Sequence, residues 1–168
     1  MHLLNSMGMA VSEEMVSPRY HNPMGPMEDF EIARVFDQVL LPACNMNRTL
    51  PLNDELARID QDAFNKGIRQ LKEVFQQRIA QTPESKLWGV KDPVVSNFLP
   101  HILPLLNQLE VVPKFVFCVR NPTSVVSSRK ANFKTDESVS ELAWLVNSIN
   151  GLKNTNADCF IVHYEDLL

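Results

Sequence analysis

The sequence predicts an α/β fold, a parallel sheet covered by helices, and three observations predict it. After Pro83, apolar runs of strand length (KLWGVK, KFVFCVR and CFIVHYEDLL) alternate with helix-length segments. The middle run is continuously apolar, the pattern of a strand buried on both faces. Each run also gives way to polar residues at its carboxyl end, where open parallel sheets hold their ligands.

Taken in order, the chain begins with a short helix stopped by Gly8, since glycine readily takes the left-handed conformation that ends helices. SPRYHNPMGP, Ser17 to Pro26, is a loop dense in proline and glycine. MEDFEIARVFDQVL is a helix with Phe30, Ala33, Val35, Phe36 and Val39 on its core face. Glu28 and Asp29 stand in its first turn, where they complement the helix dipole. Phe64, Ile68, Leu71, Val74, Phe75 and Ile79 recur at i, i+3 and i+4 and define a helix from about Gln61 to Gln81. KLWGVK is the first strand. Phe98, Ile102, Leu105, Leu106 and Leu109 mark the helix after it, with His101 a partly buried structural residue. KFVFCVR is the second strand, followed by helices over Thr123 to Ala131 and about Glu137 to Lys153, and CFIVHY is the last strand. Trp88 and Trp144 read as core aromatics.

A length of 168 residues suits one domain, 1–168, with a single sizeable core. Apolar residues at 45% and charged residues at 21% are those of an ordinary soluble chain. A net charge of −4 excludes a broad nucleic-acid footprint and leaves room for a local basic patch. No run approaches the ~20 apolar residues that span a bilayer. The start, MHLLNSMGMAVSEE, has neither a basic n-region nor a long apolar h-region. Cys44, Cys118 and Cys159 are odd in number and form no C-x-x-C pair, so reduced, buried thiols are expected. These features describe a cytoplasmic protein that engages neither nucleic acid nor membrane.

If the three strands are parallel, Lys91-Asp92-Pro93, Arg120-Asn121-Pro122 and Tyr164-Glu165-Asp166 share one edge of the sheet. A lysine, an arginine and a tyrosine there suit an anionic ligand carrying an aromatic ring. Polar residues also punctuate strands simply because strands leave the core, and pattern alone leaves both readings open. RNPTSVVSS sharpens the first. Pro122 suits a first helical turn, and the helix behind it would aim its dipole and free N–H groups toward Arg120. Ser128, about two turns in, can turn its hydroxyl to the same loop. Guanidinium, hydroxyl and helix N-terminus together make a phosphate socket.

These segments resemble the sulfotransferase superfamily, which moves a sulfuryl group from 3′-phosphoadenosine-5′-phosphosulfate to a hydroxyl or amine. VFCVRNPTSVVSS is similar to the family's 3′-phosphate motif, a strand ending in arginine with a serine eight residues on, here Arg120 and Ser128. CFIVHYEDLL is similar to its Y-E-D-L strand, with Tyr164 at the position that lies near the adenine. WGVKDPVVSNFLPHILPLL looks like the K-D-P segment of bacterial members, and NPMGPMEDFEIARVFDQVL like their N-P-x-G-x-x-E-D helix. The resemblance covers roughly Leu3 to Leu168. It implies a P-loop-like sulfotransferase fold with 3′-phosphoadenosine-5′-phosphosulfate as donor cosubstrate, an unknown hydroxyl or amine acceptor, and no metal. The family's glycine-rich 5′-phosphosulfate loop, of R-S-G-T type, does not stand before the first helix, and the closing glycine- and lysine-bearing segment does not follow Leu168. The expected fold is therefore incomplete at its first strand and truncated at both ends.

Sulfuryl transfer needs donor and acceptor held in line and charge on the leaving group neutralised. The resemblance gives Arg120, Ser128 and Tyr164 to the nucleotide and offers Lys91 as the charge-stabilising catalytic residue. Many animal cytosolic members carry a histidine base two residues after that lysine, where this chain has Pro93. Glu28 then becomes the candidate base, against its plainer role as an acid at a helix start. Two functional readings follow: a sulfotransferase, whose activity is in doubt without the 5′-phosphosulfate loop, or a non-catalytic remnant that binds nucleotide or a partner chain. A kinase-like P-loop protein is disfavoured because G-x-x-x-x-G-K-[ST] occurs nowhere. A sheet lacking an edge strand is also a candidate for homo-oligomerisation.

Overall fold

The computed structural model describes residues 1–18, 25–52 and 58–167. It is mixed α/β and mostly helical, with one two-stranded parallel sheet among the described residues. The chain divides into two compact units, Met1–Cys44 with Arg58–Pro93 and Asn45–Ala57 with Val94–Leu168.

In the first unit, α1 (His2–Ser6) ends as expected before Gly8, at φ +99°. Helix α2 (Phe30–Val35) starts three residues later than the sequence suggests. Asp29 is its N-cap, accepting from the N–H groups of Glu31 and Ile32 at 2.9 and 3.1 Å, and Glu28 lies outside the helix. The expected core face shifts in part. Ala33, Val35 and Phe36 are buried as expected, joined in the stripe by Asp29 and Ile32, while Phe30 turns outward to 49% exposure. The helix then widens into a π-type winding over Phe36–Leu40 and ends in α3 (Leu41–Ala43). An i→i+5 turn carries an extra residue, which advances the stripe to Leu40 and Leu41 in place of Val39.

Helix α4 spans Gln61–Gln81, as its periodicity predicts, and is capped by Asp60. Phe64, Leu71 and Phe75 are buried from the expected face, joined by Gly67 and Arg78. A Cβ on Gly67 would lie 2.6 Å from Leu40 Cδ2, so glycine is what lets α4 approach the π-type winding. KLWGVK is not a strand of the sheet. It makes a single parallel bridge, Trp88 to Ala10, with the Ala10 N–H donating to Leu87 and the Gly89 N–H donating to Ala10. Leu87 points to solvent and Met9 crowds Gly89, so the run has neither the length nor the second buried face that a ladder needs.

In the second unit, α5 (Val95–Gln108) carries Pro100 and Pro104 in its interior. Pro100 cannot donate to the Ser96 carbonyl, and the Asn154 side-chain amide donates there instead at 2.8 Å. Asn154 belongs to α7 (Glu137–Asn154), whose Asn147 and Asn150 also bond Asn97, at 2.9 and 2.6 Å. The α5–α7 seam is thus polar and mutually satisfied. His101 is exposed, in place of the partly buried structural residue expected.

Strands β1 (Val116–Val119) and β2 (Phe160–His163) pair in parallel, Val116 opposite Phe160 through Val119 opposite His163. Helices α6 (Pro122–Phe133) and α7 connect them, as the pattern of the last half predicts. Burial on both faces does not follow: Val116 is half exposed, and Phe160 and Ile161 are 72% and 47% exposed on opposite faces of β2. Cys118 is exposed and Cys159 intermediate, so only Cys44 is the buried thiol expected, and burial pushes its pKa up. No helix among the described residues is long and apolar enough to cross a membrane.

Candidate functional site

The parallel pairing of β1 and β2 places Arg120 and Tyr164 at neighbouring carboxyl ends, because each is the residue after its strand. The Arg120 guanidinium carbon lies 4.5 Å from the centre of the Tyr164 ring. That is a cation–π contact, with the guanidinium carbon over the ring face. Arg120 Nε is buried and has no hydrogen-bond partner. A buried donor on a charged group without an acceptor is costly, and an anion would relieve that cost.

Three contacts fix the backbone of this turn. The Trp144 indole N–H donates to the Arg120 carbonyl at 3.1 Å. The Asn121 N–H donates to Glu165 Oε1 at 3.0 Å. The Asn121 side chain caps α6, accepting from Thr123 and Ser124 N–H groups at 2.9 and 3.4 Å. The Asn121 bond, then the residue's own amide and the nearby Arg120 charge, hold the Glu165 carboxyl below the usual glutamate range.

The cap corrects one expectation. Pro122 has no N–H, Asn121 Oδ1 takes those of Thr123 and Ser124, and the Asn121 carbonyl takes that of Val125. The start of α6 therefore offers its dipole to an anion but no free donors. Ser128 lies two turns along α6, half-buried, with Oγ accepting from the Asn132 amide at 3.3 Å. Its hydroxyl hydrogen remains able to donate, and no hydrogen bond joins it to Arg120.

The two residues proposed for chemistry meet in the first unit. Lys91 Nζ is 2.8 Å from Glu28 Oε1 and donates to the Pro26 carbonyl at 3.1 Å. Glu28 is 12% exposed in its side chain and Lys91 42%. The Glu28 backbone pairs with Val16, in an antiparallel bridge between Met15 and Asp29. Glu28 is thus held in extended chain beside Lys91, not in a helical turn. The single edge expected to gather Lys91, Arg120 and Tyr164 is replaced by a two-stranded edge bearing Arg120 and Tyr164. Residues 19–24, within the proline- and glycine-rich loop expected over Ser17 to Pro26, lie outside the described residues. Among the described residues no group of three or more His, Cys, Asp or Glu side chains could hold a metal ion.

Sequence reasoning missed Trp144 and Glu165 as supports of the turn and Asn121 as its cap. Asn-Pro at a helix start is a legible capping signal. The other two contacts depend on strand register and on α7 crossing behind β1.

Comparison with protein-family models, with curated proteins and with solved structures finds no match. What the chain can be assigned rests on its own fold and on this turn.

Proposed function

We propose that the second unit binds a 3′-phosphorylated adenine nucleotide, in keeping with the resemblance of VFCVRNPTSVVSS and CFIVHYEDLL to sulfotransferase motifs. One observation carries the reading: the Arg120 guanidinium is stacked on Tyr164 at the carboxyl edge of a parallel strand pair, with Nε buried and lacking an acceptor. A phosphate oxygen is the strongest acceptor for such a fork. Arg120 holds the 3′-phosphate, and the Ser128 hydroxyl and the α6 dipole add to it. The donor, 3′-phosphoadenosine-5′-phosphosulfate, would supply the activated sulfuryl group, and a hydroxyl or amine would accept it.

A second reading, nucleotide binding without turnover, is favoured by the Glu28–Lys91 pair. Each group already has an opposite charge at 2.8 Å, and Lys91 also serves the Pro26 carbonyl. A base and an electrostatic catalyst that neutralise one another must part before either acts.

Calorimetry with 3′,5′-bisphosphoadenosine against AMP tests the site. The bisphosphate binds more tightly, and Arg120→Ala erases the difference. Equal binding of the two nucleotides, or none of either, overturns the proposal. A sulfation assay on the same protein separates the readings: turnover supports the enzyme, and binding without turnover supports the second.

A further inference from the structure

The resemblance to a sulfotransferase sets Tyr164 beside the base of a nucleotide, yet the structure fills one face of its ring with the Arg120 guanidinium, 4.5 Å away. An adenine and a guanidinium cannot occupy the same face. Resting on the nucleotide-site reading, we propose that Tyr164 is a positioning residue for Arg120, and that it acts on the anion through the arginine.

A free arginine side chain loses much rotamer freedom when it is fixed, and stacking on an aromatic face removes that cost before any ligand arrives. The backbone of the same residue is immobilised by Trp144 at its carbonyl and by Glu165 at the next N–H. The main chain is therefore held by hydrogen bonds and the head group is held against one face of the ring. The ring covers one face of the guanidinium, and Nε–H is buried and unpartnered, so an anion approaches by the terminal amino groups. The ring alone is needed for this, because no hydrogen bond of the Tyr164 hydroxyl enters the arrangement.

Two measurements decide it. In nitrogen-15 NMR of the unliganded protein, the Arg120 Nε–H resonance carries an upfield ring-current shift. The shift survives in Tyr164→Phe and collapses in Tyr164→Leu, while Arg129 Nε–H, on α6, is unmoved. An Arg120 resonance indifferent to the ring overturns the proposal whatever the nucleotide does. In calorimetry with 3′,5′-bisphosphoadenosine, Tyr164→Phe binds as wild type does and Tyr164→Leu binds several-fold to about tenfold more weakly. Wild-type affinity in Tyr164→Leu overturns it as well. If the ring-current pattern holds but the wild-type protein ignores the bisphosphate, the nucleotide site is the reading that falls. The arginine is then positioned for another anion, and a titration with pyrophosphate, repeated on Tyr164→Leu, must show the same loss for the proposal to stand.

Discussion

Glu165 works in two directions on the turn it supports. Its carboxylate anchors the Asn121 N–H, and the same negative charge lies close enough to Arg120 to be stabilised by it. Glutamine in its place keeps the acceptor and removes the charge. Glu165→Gln is therefore expected to raise affinity for 3′,5′-bisphosphoadenosine, with a gain that shrinks as salt is added, since the group is exposed. Unchanged or weaker binding at low salt would show that the anchor depends on the charge itself. The pH dependence has a definite sign. A carboxyl whose pKa is depressed on folding stabilises the protein above its unfolded value, and that stabilisation is lost as pH falls through the folded value. The melting-temperature gap between wild type and Glu165→Gln should accordingly be widest near neutrality and close on acidification below the ordinary glutamate range. At this scale Arg120 and Tyr164 were legible because each ends an apolar run. Trp144 and Glu165 were not, because their partners are 24 and 44 residues away and are chosen by register and helix crossing.

Elements were legible where a single period runs uninterrupted. Helix α4 keeps its 3.6-residue rhythm for 21 residues and begins and ends where the apolar spacing says. KLWGVK has two apolar residues before a glycine, too little to tell a ladder from one bridge. The π-type winding after α2 was hidden because side-chain type does not mark an i→i+5 turn. Buried charge hid another feature: Arg78 on α4 reaches Asp29 Oδ2 with its Nε at 2.7 Å, and both residues are about 5% exposed. Asp29 thus caps α2 and neutralises Arg78 at once, and the bond to Asp29 raises the Arg78 pKa. Asp29→Ala leaves a buried cation and uncaps a helix, an expected loss of about 3–5 kcal/mol by chemical denaturation plus about 1 for the cap. Asp29→Asn with Arg78→Met keeps the cap, removes both charges and should recover most of that loss; a double variant as weak as Asp29→Ala would contradict it. Gly67→Ala offers a contrast between local and tertiary preference. Alanine is the better helix former by about 1 kcal/mol, yet its methyl would meet the fully buried Leu40. Overpacking costs about 1–3 kcal/mol, so the expected net effect is destabilising, and a raised melting temperature would mean that Leu40 gives way easily.

The second unit as a whole breaks a rule that parallel sheets generally keep, since a two-stranded parallel pair normally lies buried between helices. Here Phe160 and Ile161 face water on opposite sides of β2, and the sheet has no third strand among the described residues. The ends of the strands carry opposite charges: Lys114 and Arg120 flank β1, and Asp158, Glu165 and Asp166 flank β2. In the observed register Lys114 stands level with Asp158, and Arg120 with Tyr164. A second copy laying its β1 along the outer edge of β2 would repeat both the charge match and the backbone ladder. An antiparallel β2–β2 contact centred on Ile161 and Val162 would instead set Asp158 level with Glu165 of the other copy and is disfavoured by like charge. Head-to-tail association through unlike edges is therefore expected, and such contacts do not close into a dimer by symmetry. Sedimentation should show a mass that keeps rising with concentration and falls with added salt. Phe160→Lys should hold the protein monomeric with its helical circular dichroism intact, because a charge on an exposed edge strand opposes pairing without touching the core. A wild-type mass constant at that of one chain across concentrations would show that water alone covers this edge.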